Sequence, residues 1–399
     1  VHLEFTPEQE ALRKVVREFA EAEIAPHAEA WDRDHTFPVD VVRQMGDLGL
    51  FGIPFPEEYG GGGGDLTMLC IAIEEIGRCD QSLGITLEAA VGLGASPIYR
   101  FGTEAQRQRW LPDLCAGRAL AAFGLTEPDA GSDAGGGRAT AVIEDDADGE
   151  DGDEGTTAVV DTVSGDWVIN GEKAFITNSG TELTSVITVT ARTAPGQISA
   201  IIVPSDTPGL VVQPPYRKMG WHASDTHGLT FTDCRVPAEH LLGELGRGIA
   251  QFLQILDEGR ILIAALAVGC IQACLDQSVQ YARDRVAFGR PIGANQGLAF
   301  QLADLAVMAE TARLITYHAA ACYDAGRPSK QAAAMAKLHA TEGAVAATRV
   351  ATQVFGGSGF MDETPVSRFY RDAKILEIGE GTSEIQRLVI SRELGLPVE

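Results

Sequence analysis

Basic residues are scarce in this chain. Of its 399 residues, 31 are Lys or Arg and 56 are Asp or Glu, a formal net charge of -25. Such a surface repels duplex phosphates and anionic lipid, so neither nucleic acid nor membrane is an expected partner. The excess charge reads as solubility. Long apolar runs are lacking as well. No stretch reaches the ~18 uninterrupted apolar residues that cross a bilayer, so no membrane-spanning helix is expected. Residues 1–10 carry no basic segment followed by an apolar run, so no signal peptide is expected. The seven cysteines, at 70, 79, 115, 234, 270, 274 and 322, form no C-x-x-C pair. Cys270 and Cys274 stand one helical turn apart and read as small packed residues rather than metal ligands. A reducing cytoplasm is the expected location. No G-x-G-x-x-G follows a strand, no G-x-x-x-x-G-K-[ST] occurs, and no His/Cys/Asp cluster has metal spacing. A nicotinamide-type Rossmann site, a P-loop and a metal centre are therefore not expected. The glycine run at 60–64 lacks a flanking strand and helix and reads as a flexible loop.

What is present suffices for a sizeable core. Hydrophobic residues make up 45%, and the length calls for two or three domains. Thr6-Pro7-Glu8-Gln9 predicts a capped helix start, followed by Leu12, Val16, Phe19 and Ala20 at helical spacing. Helical patterning continues to about Gly117. Val/Ile/Thr-rich segments at 157–163, 166–170, 185–191, 198–204 and 229–232 then predict strands in an antiparallel sheet or barrel. The acidic run 144–154 reads as a solvated hairpin loop. From Gly248 the pattern is helical again, with long helices near 248–268, 297–324 and 329–355 and a fourth from Ser383, which predicts a four-helix bundle. The fold class expected is α+β, with a helical domain at 1–120, a β domain at 121–237 and a helical bundle at 238–399.

Several segments carry chemistry. At 123–133 the sequence is FGLTEPDAGSD. There a strand gives way to a turn containing Pro128 and Gly131, and Thr126 and Ser132 can aim hydroxyls and backbone N–H groups at a ligand, or simply close a turn. Phe175 and Thr177 are two apart on a strand and face one way, as a core pair or as a flat ring and a hydroxyl offered to a planar ligand. Asp257 and Arg260 share a helix face, as a salt pair or as a site for anionic or carbonyl-rich groups. At 378–387 the sequence is IGEGTSEIQR. Gly379 and Gly381 let the chain turn tightly around Glu380 and present its carboxylate. Thr382 or Ser383 can cap the next helix, and the alternative role for the glutamate is to answer the helix dipole.

Taken in order with 169–178, 285–296, 353–357 and 371–387, these segments resemble the acyl-CoA dehydrogenases over essentially the whole chain. The resemblance implies an FAD-dependent oxidoreductase of fatty acid metabolism and beta-oxidation, converting an acyl-CoA to a trans-2-enoyl-CoA. It implies that Glu380 is the general base. It places FAD against Phe123, Leu125, Thr126, Ser132, Phe175, Thr177, Thr382 and Glu384. From a neighbouring subunit of a homotetramer it adds Arg285, Phe288, Gln296, Gln353, Gly356 and Gly357. Ser132, Asp257, Arg260, Gly379, Gly381 and Arg392 are implied on the acyl-CoA side, and an electron-transferring flavoprotein as the electron acceptor. Some relatives place the base at the position of Gly259, which here cannot act. Glu258 lies about 100° away around the helix, which leaves Glu380. Gly379, where many members carry Tyr, implies a short to medium acyl chain with room for branching. An acyl-CoA oxidase of the same fold, a monooxygenase or nitroalkane oxidase branch and a non-catalytic relative are the alternatives.

Overall fold

The computed structural model describes residues 4–133 and 155–398; the acidic run 144–154 lies outside them. Thr6 starts the first helix as its sequence predicts. Its hydroxyl accepts from the Gln9 N–H at 3.2 Å, and the Gln9 side chain accepts from the Thr6 N–H at 3.0 Å, satisfying two donors that a helix start leaves open. Seven helices form the first part of the chain: α1 (Pro7–Phe19), α2 (Ala28–Asp34), α3 (Val39–Asp47), α4 (Leu66–Cys79), α5 (Gln81–Glu88), α6 (Ser96–Phe101) and α7 (Glu104–Cys115). A π-helical turn, Ala89–Ala95, joins α5 to α6. It presses onto the next strand so closely that a Cβ on Gly94 would lie 2.5 Å from the Ala121 carbonyl oxygen.

The glycine run departs from the expectation of a flexible loop. Gly61, Gly62, Gly63 and Gly64 each donate a backbone hydrogen bond, to Pro56, Gly52, Phe55 and Ile53, at 2.8–3.0 Å. A Cβ on Gly61 would stand 2.0 Å from the Phe55 carbonyl oxygen. Close packing at Gly61 and a left-handed backbone at Gly60 and Gly63, φ 82° and 64°, are what favour glycine here.

Among the described residues the middle of the chain forms an eight-stranded sheet from β1 (Leu120–Gly124), β2 (Thr157–Val160), β3 (Trp167–Thr177), β4 (Thr184–Ala194), β5 (Gln197–Pro204), β6 (Leu210–Val212), β7 (Thr226–Val236) and β8 (Leu241–Leu242). The order is β6-β7-β3-β2-β4-β5-β8, with β1 beside β4. The sheet is not wholly antiparallel, since β1 runs parallel to β4, as does a single β2–β4 pair. Two strands outrun their sequence signals. β3 continues through Gly171, whose φ of 129° and close approach to Thr156, 2.5 Å from an added Cβ, require glycine there. β7 begins before the apolar segment, at Thr226, because its partner β3 supplies the ladder. Trp167, Ile169, Ile187, Val189, Ile201 and Phe231 fill a core of the sheet's own, while Val186 and Ile202 join the helical core.

The last part is helical: α8 (Gly248–Asp284), α9 (Gln296–Asp324), α10 (Lys330–Phe355), α11 (Pro365–Ala373) and α12 (Ser383–Glu393). A two-stranded hairpin, Val286–Ala287 with Arg290–Pro291, sits between α8 and α9. The fourth helix expected is only 11 residues long, and α11 precedes it without having been signalled. By length and composition alone α8 could cross a membrane, but it is buried inside the protein. Cys270 and Cys274 lie fully buried along it. Sheet and helices are latched at Trp221, whose backbone N–H donates to Asp372 Oδ1 at 2.6 Å. Arg371 pairs with Asp32 of α2 beside this latch.

Candidate active site

Glu380 sits on a turn whose geometry follows from its neighbours. The N–H groups of Ile378 and Gly379 both donate to the Ile375 carbonyl, at 2.9 and 2.8 Å. Glu380 then takes φ 54° and Gly381 φ 91°. The left-handed region costs a non-glycine residue energy, so the surroundings must hold it there. Lys337 of α10 does so, donating to the Gly381 carbonyl at 2.7 Å and the Leu376 carbonyl at 3.2 Å. Gln386 Nε2 donates to the same Gly381 oxygen at 2.8 Å. Thr382 then caps α12 by accepting from the Ile385 N–H at 3.3 Å.

The turn drives the carboxyl inward against α8. Glu380 Oε2 is fully buried with no donor from another residue. It would lie 2.2 Å from a Cβ at Gly259, so the glycine on α8 leaves the space this carboxyl occupies. Burial raises the Glu380 carboxyl, and Glu88, Lys337 and Arg260 act against that rise. Burial likewise lowers Lys337, to about 8, with Glu380 opposing. Arg260 is buried, paired with Asp257 at its side and close enough to Glu380 to interact with its charge. Glu258 points the other way, to Arg100 at 2.8 Å, and burial pushes it up to about 8.

Two residues here have no counterpart among the motifs. Lys337 sits in an alanine-rich helix with nothing around it to mark it. Glu88, the last residue of α5, is entirely buried and close enough to Glu380 for the two charges to interact. Elimination by sequence left one carboxyl at this point; the fold brings two together.

A second cluster approaches α8 from the sheet. Phe123 stacks on Phe252 of α8, with ring centroids 4.0 Å apart. Lys173 of β3, buried, donates to Glu127 Oε1 at 2.8 Å, the Leu125 carbonyl at 3.3 Å and Thr190 Oγ1 at 3.2 Å. It thereby fixes the turn that carries Leu125 and Thr126. Thr126 also accepts from the Ala174 N–H at 2.9 Å. Phe175 has φ 61° and is 65% exposed, its ring 5.2 Å from Tyr216. Thr177 lies beyond buried Ile176 on the same side as Phe175. Asn178 Nδ2 donates to the Thr86 carbonyl at 3.1 Å, tying the end of β3 to α5. Ser132 is exposed. An exposed flat ring, a neighbouring hydroxyl and a rigidly held polar turn suit a planar cofactor.

Breaking the Lys173–Glu127 pair should show what that turn needs. Loss of one partner of a buried pair costs about 3–5 kcal/mol. Lys173→Met should therefore lower the melting temperature and the FAD retained per chain, read from the flavin-to-protein absorbance ratio. A variant with parental melting and full flavin content would show that the pair does not hold the turn.

The remaining motif residues do not join this site within one chain. Arg285, Gln296, Gln353, Gly356 and Gly357 are exposed, and Phe288 is fully exposed at the hairpin tip with φ 52°. Arg285 caps the far end of α8, 26 residues beyond Gly259, or roughly 39 Å along the helix at 1.5 Å per residue. Glu384 and Arg392 are exposed on α12. Among the described residues no group of His, Cys, Asp or Glu is arranged to hold a metal.

The chain matches the family models for the acyl-CoA dehydrogenase N-terminal domain at residues 6–118, middle domain at 122–234 and C-terminal domain at 246–395. A probable acyl-CoA dehydrogenase of Bacillus subtilis (strain 168) is 50% identical over 397 residues, which is 99% of this chain and 100% of the relative. The structure of butyryl-CoA dehydrogenase from Megasphaera elsdenii superposes with a TM-score of 0.92 at 38% identity, covering 99% of this chain and 100% of the other. A chain in the structure described as the electron transferring flavoprotein of Acidaminococcus fermentans, concerned with flavin-based electron bifurcation, matches with a TM-score of 0.92 at 41% identity and 99% coverage of both. With all three domains matched and the carboxyl, the buried cations and the exposed ring in place, this chain belongs to the acyl-CoA dehydrogenase family and is an FAD-dependent oxidoreductase that dehydrogenates acyl-CoA thioesters.

Proposed function

We propose that Glu380 is the general base of this reaction and that the substrates are short to medium acyl-CoA thioesters, branched ones included. The observation that carries the first part is the Glu380 carboxyl itself, forced into the core by a left-handed turn with Oε2 facing the bare Gly259. A carboxylate kept from water is a stronger base than one in solution, which suits removal of a weakly acidic α-proton. The Glu380 N–H donates to no other group among the described residues. It is free to polarise the thioester carbonyl as enolate charge develops, in the manner of an oxyanion hole.

When bound, FAD supplies the hydride acceptor for the β-hydrogen. Phe123, Leu125, Thr126, Ser132, Phe175 and Thr177 would hold it from one subunit, together with Thr382 and Glu384. Arg285, Phe288, Gln296, Gln353, Gly356 and Gly357 would hold it from another. Their distance from the base within one chain and the exposure of Phe288 support that division, and with it a homotetramer. Asp257, Arg260, Gly379, Gly381, Ser132 and Arg392 are the residues proposed on the acyl-CoA side. An electron-transferring flavoprotein is the proposed acceptor, supported by the match to the Acidaminococcus structure. The proposed role is fatty acid beta-oxidation, and the seven free thiols suit the reducing cytoplasm proposed as its location.

Space beside the base supports the substrate class. A Cβ on Gly379 would meet only the Ile375 carbonyl oxygen, at 3.5 Å, and Leu93 Cδ2 lies 3.4 Å from a Cβ at Gly259. A methyl group in such a space is worth about 1–3 kcal/mol, or roughly 10–200-fold. An anaerobic titration of the holoenzyme with butyryl-, isobutyryl- and isovaleryl-CoA, followed by flavin bleaching, tests the reading. Gly379→Tyr should depress turnover of the branched thioesters at least tenfold more than that of butyryl-CoA. Straight chains preferred 100-fold by the parent, with equal losses in the variant, would remove the substrate proposal. Fast oxygen uptake by the reduced enzyme would favour an oxidase.

A further inference from the structure

Glu88 belongs to none of the sequence motifs, yet it is the group in contact with the proposed base. Both its carboxyl oxygens and Glu380 Oε2 are fully buried, and no other residue donates a hydrogen bond to any of the three. A Cβ on Gly92, one turn along from Glu88, would stand 3.0 Å from Glu88 Oε1 and 2.7 Å from Leu262 Cδ1, so the side chain lies folded over a bare glycine beside the stretch of α8 where Gly259 faces Glu380. Two carboxylates cannot bond to each other without a proton between them, and like charges this close do not both ionise.

We propose that Glu88 is a positioning residue that holds one shared proton, so that the resting base of this enzyme is a carboxylic acid at Glu88 bonded to a carboxylate at Glu380. The inference rests on Glu380 being the base. The surrounding charges decide which partner is ionised. Arg260 of α8, with Asp257 beyond it, and Lys337 of α10, with Glu377 beyond it, act on Glu380. Glu88 meets only burial and Glu380, both of which raise its carboxyl well above the ordinary range. Glu258, the remaining carboxyl nearby on α8, is engaged by Arg100.

The step balances simply. The α C–H bond breaks, its proton passes to Glu380, and the Glu88 proton stays where it is. The doubly protonated pair returns one proton to solvent after product leaves. Loss of the Glu88 proton at high pH would place a second negative charge beside the developing enolate. The kcat/KM profile of the parent should therefore be bell-shaped, its two limbs belonging to the pair.

The test compares pH profiles of the holoenzyme and its Glu88→Gln, Glu88→Leu and Glu380→Gln variants. Gln keeps a donor but cannot ionise: the alkaline limb should vanish, the acid limb remain, and turnover fall by less than about tenfold. Leu fills the volume, stays dry and donates nothing. Its acid limb should move to higher pH by about one pH unit, with turnover at pH 7 falling more than about tenfold, a loss that Gln restores. At neutral pH one infrared band of a buried protonated carboxyl should be lost in Glu88→Gln while that of Glu258 remains, a readout that does not depend on turnover. If both Glu88 variants keep the parental profile and band while Glu380→Gln is inactive, the shared proton is wrong and the base stands. If Glu380→Gln turns over within threefold of the parent, the base itself is wrong.

Discussion

Glu380→Gln should bind FAD and acyl-CoA normally and lose turnover by at least about 10²–10⁴-fold, the range removed with a general base. The amide is nearly isosteric, so the turn set by Ile375, Gly381 and Lys337 should survive. What is lost is the acceptor for the α-proton, and no neighbouring group can substitute for it. Glu88 stays protonated by its burial even without the Glu380 charge, and Glu258 is held away by Arg100. Single-turnover flavin bleaching with butyryl-CoA measures the loss, and equilibrium binding of the CoA ester checks that the site is intact. A variant within threefold of the parent would remove Glu380 from the chemistry.

Gly259→Ala should be the next most damaging single change, although it adds only one methyl group. That methyl would stand 2.2 Å from Glu380 Oε2, 3.3 Å from Glu380 Cδ and 3.4 Å from Leu93 Cδ2. One of these atoms must move. The α8 backbone cannot, because residues 258–274 of that helix are almost wholly buried. The Glu380 backbone is pinned at φ 54° by the hydrogen bonds to Gly381. The carboxyl, at the free end of a flexible side chain, therefore gives way. A fold that yields through one side chain keeps its stability, but a base displaced by about 1 Å costs about 10²-fold. The expected result is parental melting and flavin content with kcat reduced about a hundredfold. Equal activity would show that the carboxyl has another productive position.

The two variants separate presence of the Glu380 carboxyl from its placement, and only the first was legible in the sequence. Glu380 stood out because glycines bracket it and a capping threonine follows, a local pattern whose consequence is local: a tight turn that presents one carboxyl. The helix starts were legible for the same reason, as the Thr6–Gln9 box shows. So was the run of helix, then strand, then helix, because periodicity is a property of neighbours in the chain. Signals that depend on a distant partner misled. Gly171 reads as the end of a strand, yet β3 passes through it because Thr156 lies against it. The glycines at 61–64 read as mobile, but each donates a backbone hydrogen bond to residues 52–56 that ties the run down. The parallel pairing of β1 with β4 joins segments more than sixty residues apart, which no local pattern records.

The sequence by itself determined the helices, most strands, the tight turn that presents Glu380 and, through five ordered motifs, the family. The tertiary structure alone decided the surroundings of the carboxyl on that turn. Glu88 lies on α5, Gly259 and Arg260 on α8 and Lys337 on α10, and none is within forty residues of Glu380 in the chain. Burial and Coulomb interaction depend on separation in space, and these fall steeply with distance and with access of water. A glutamate at the end of α5 and a lysine in an alanine-rich helix carry no mark of their surroundings until the packing of three helices brings them to Glu380.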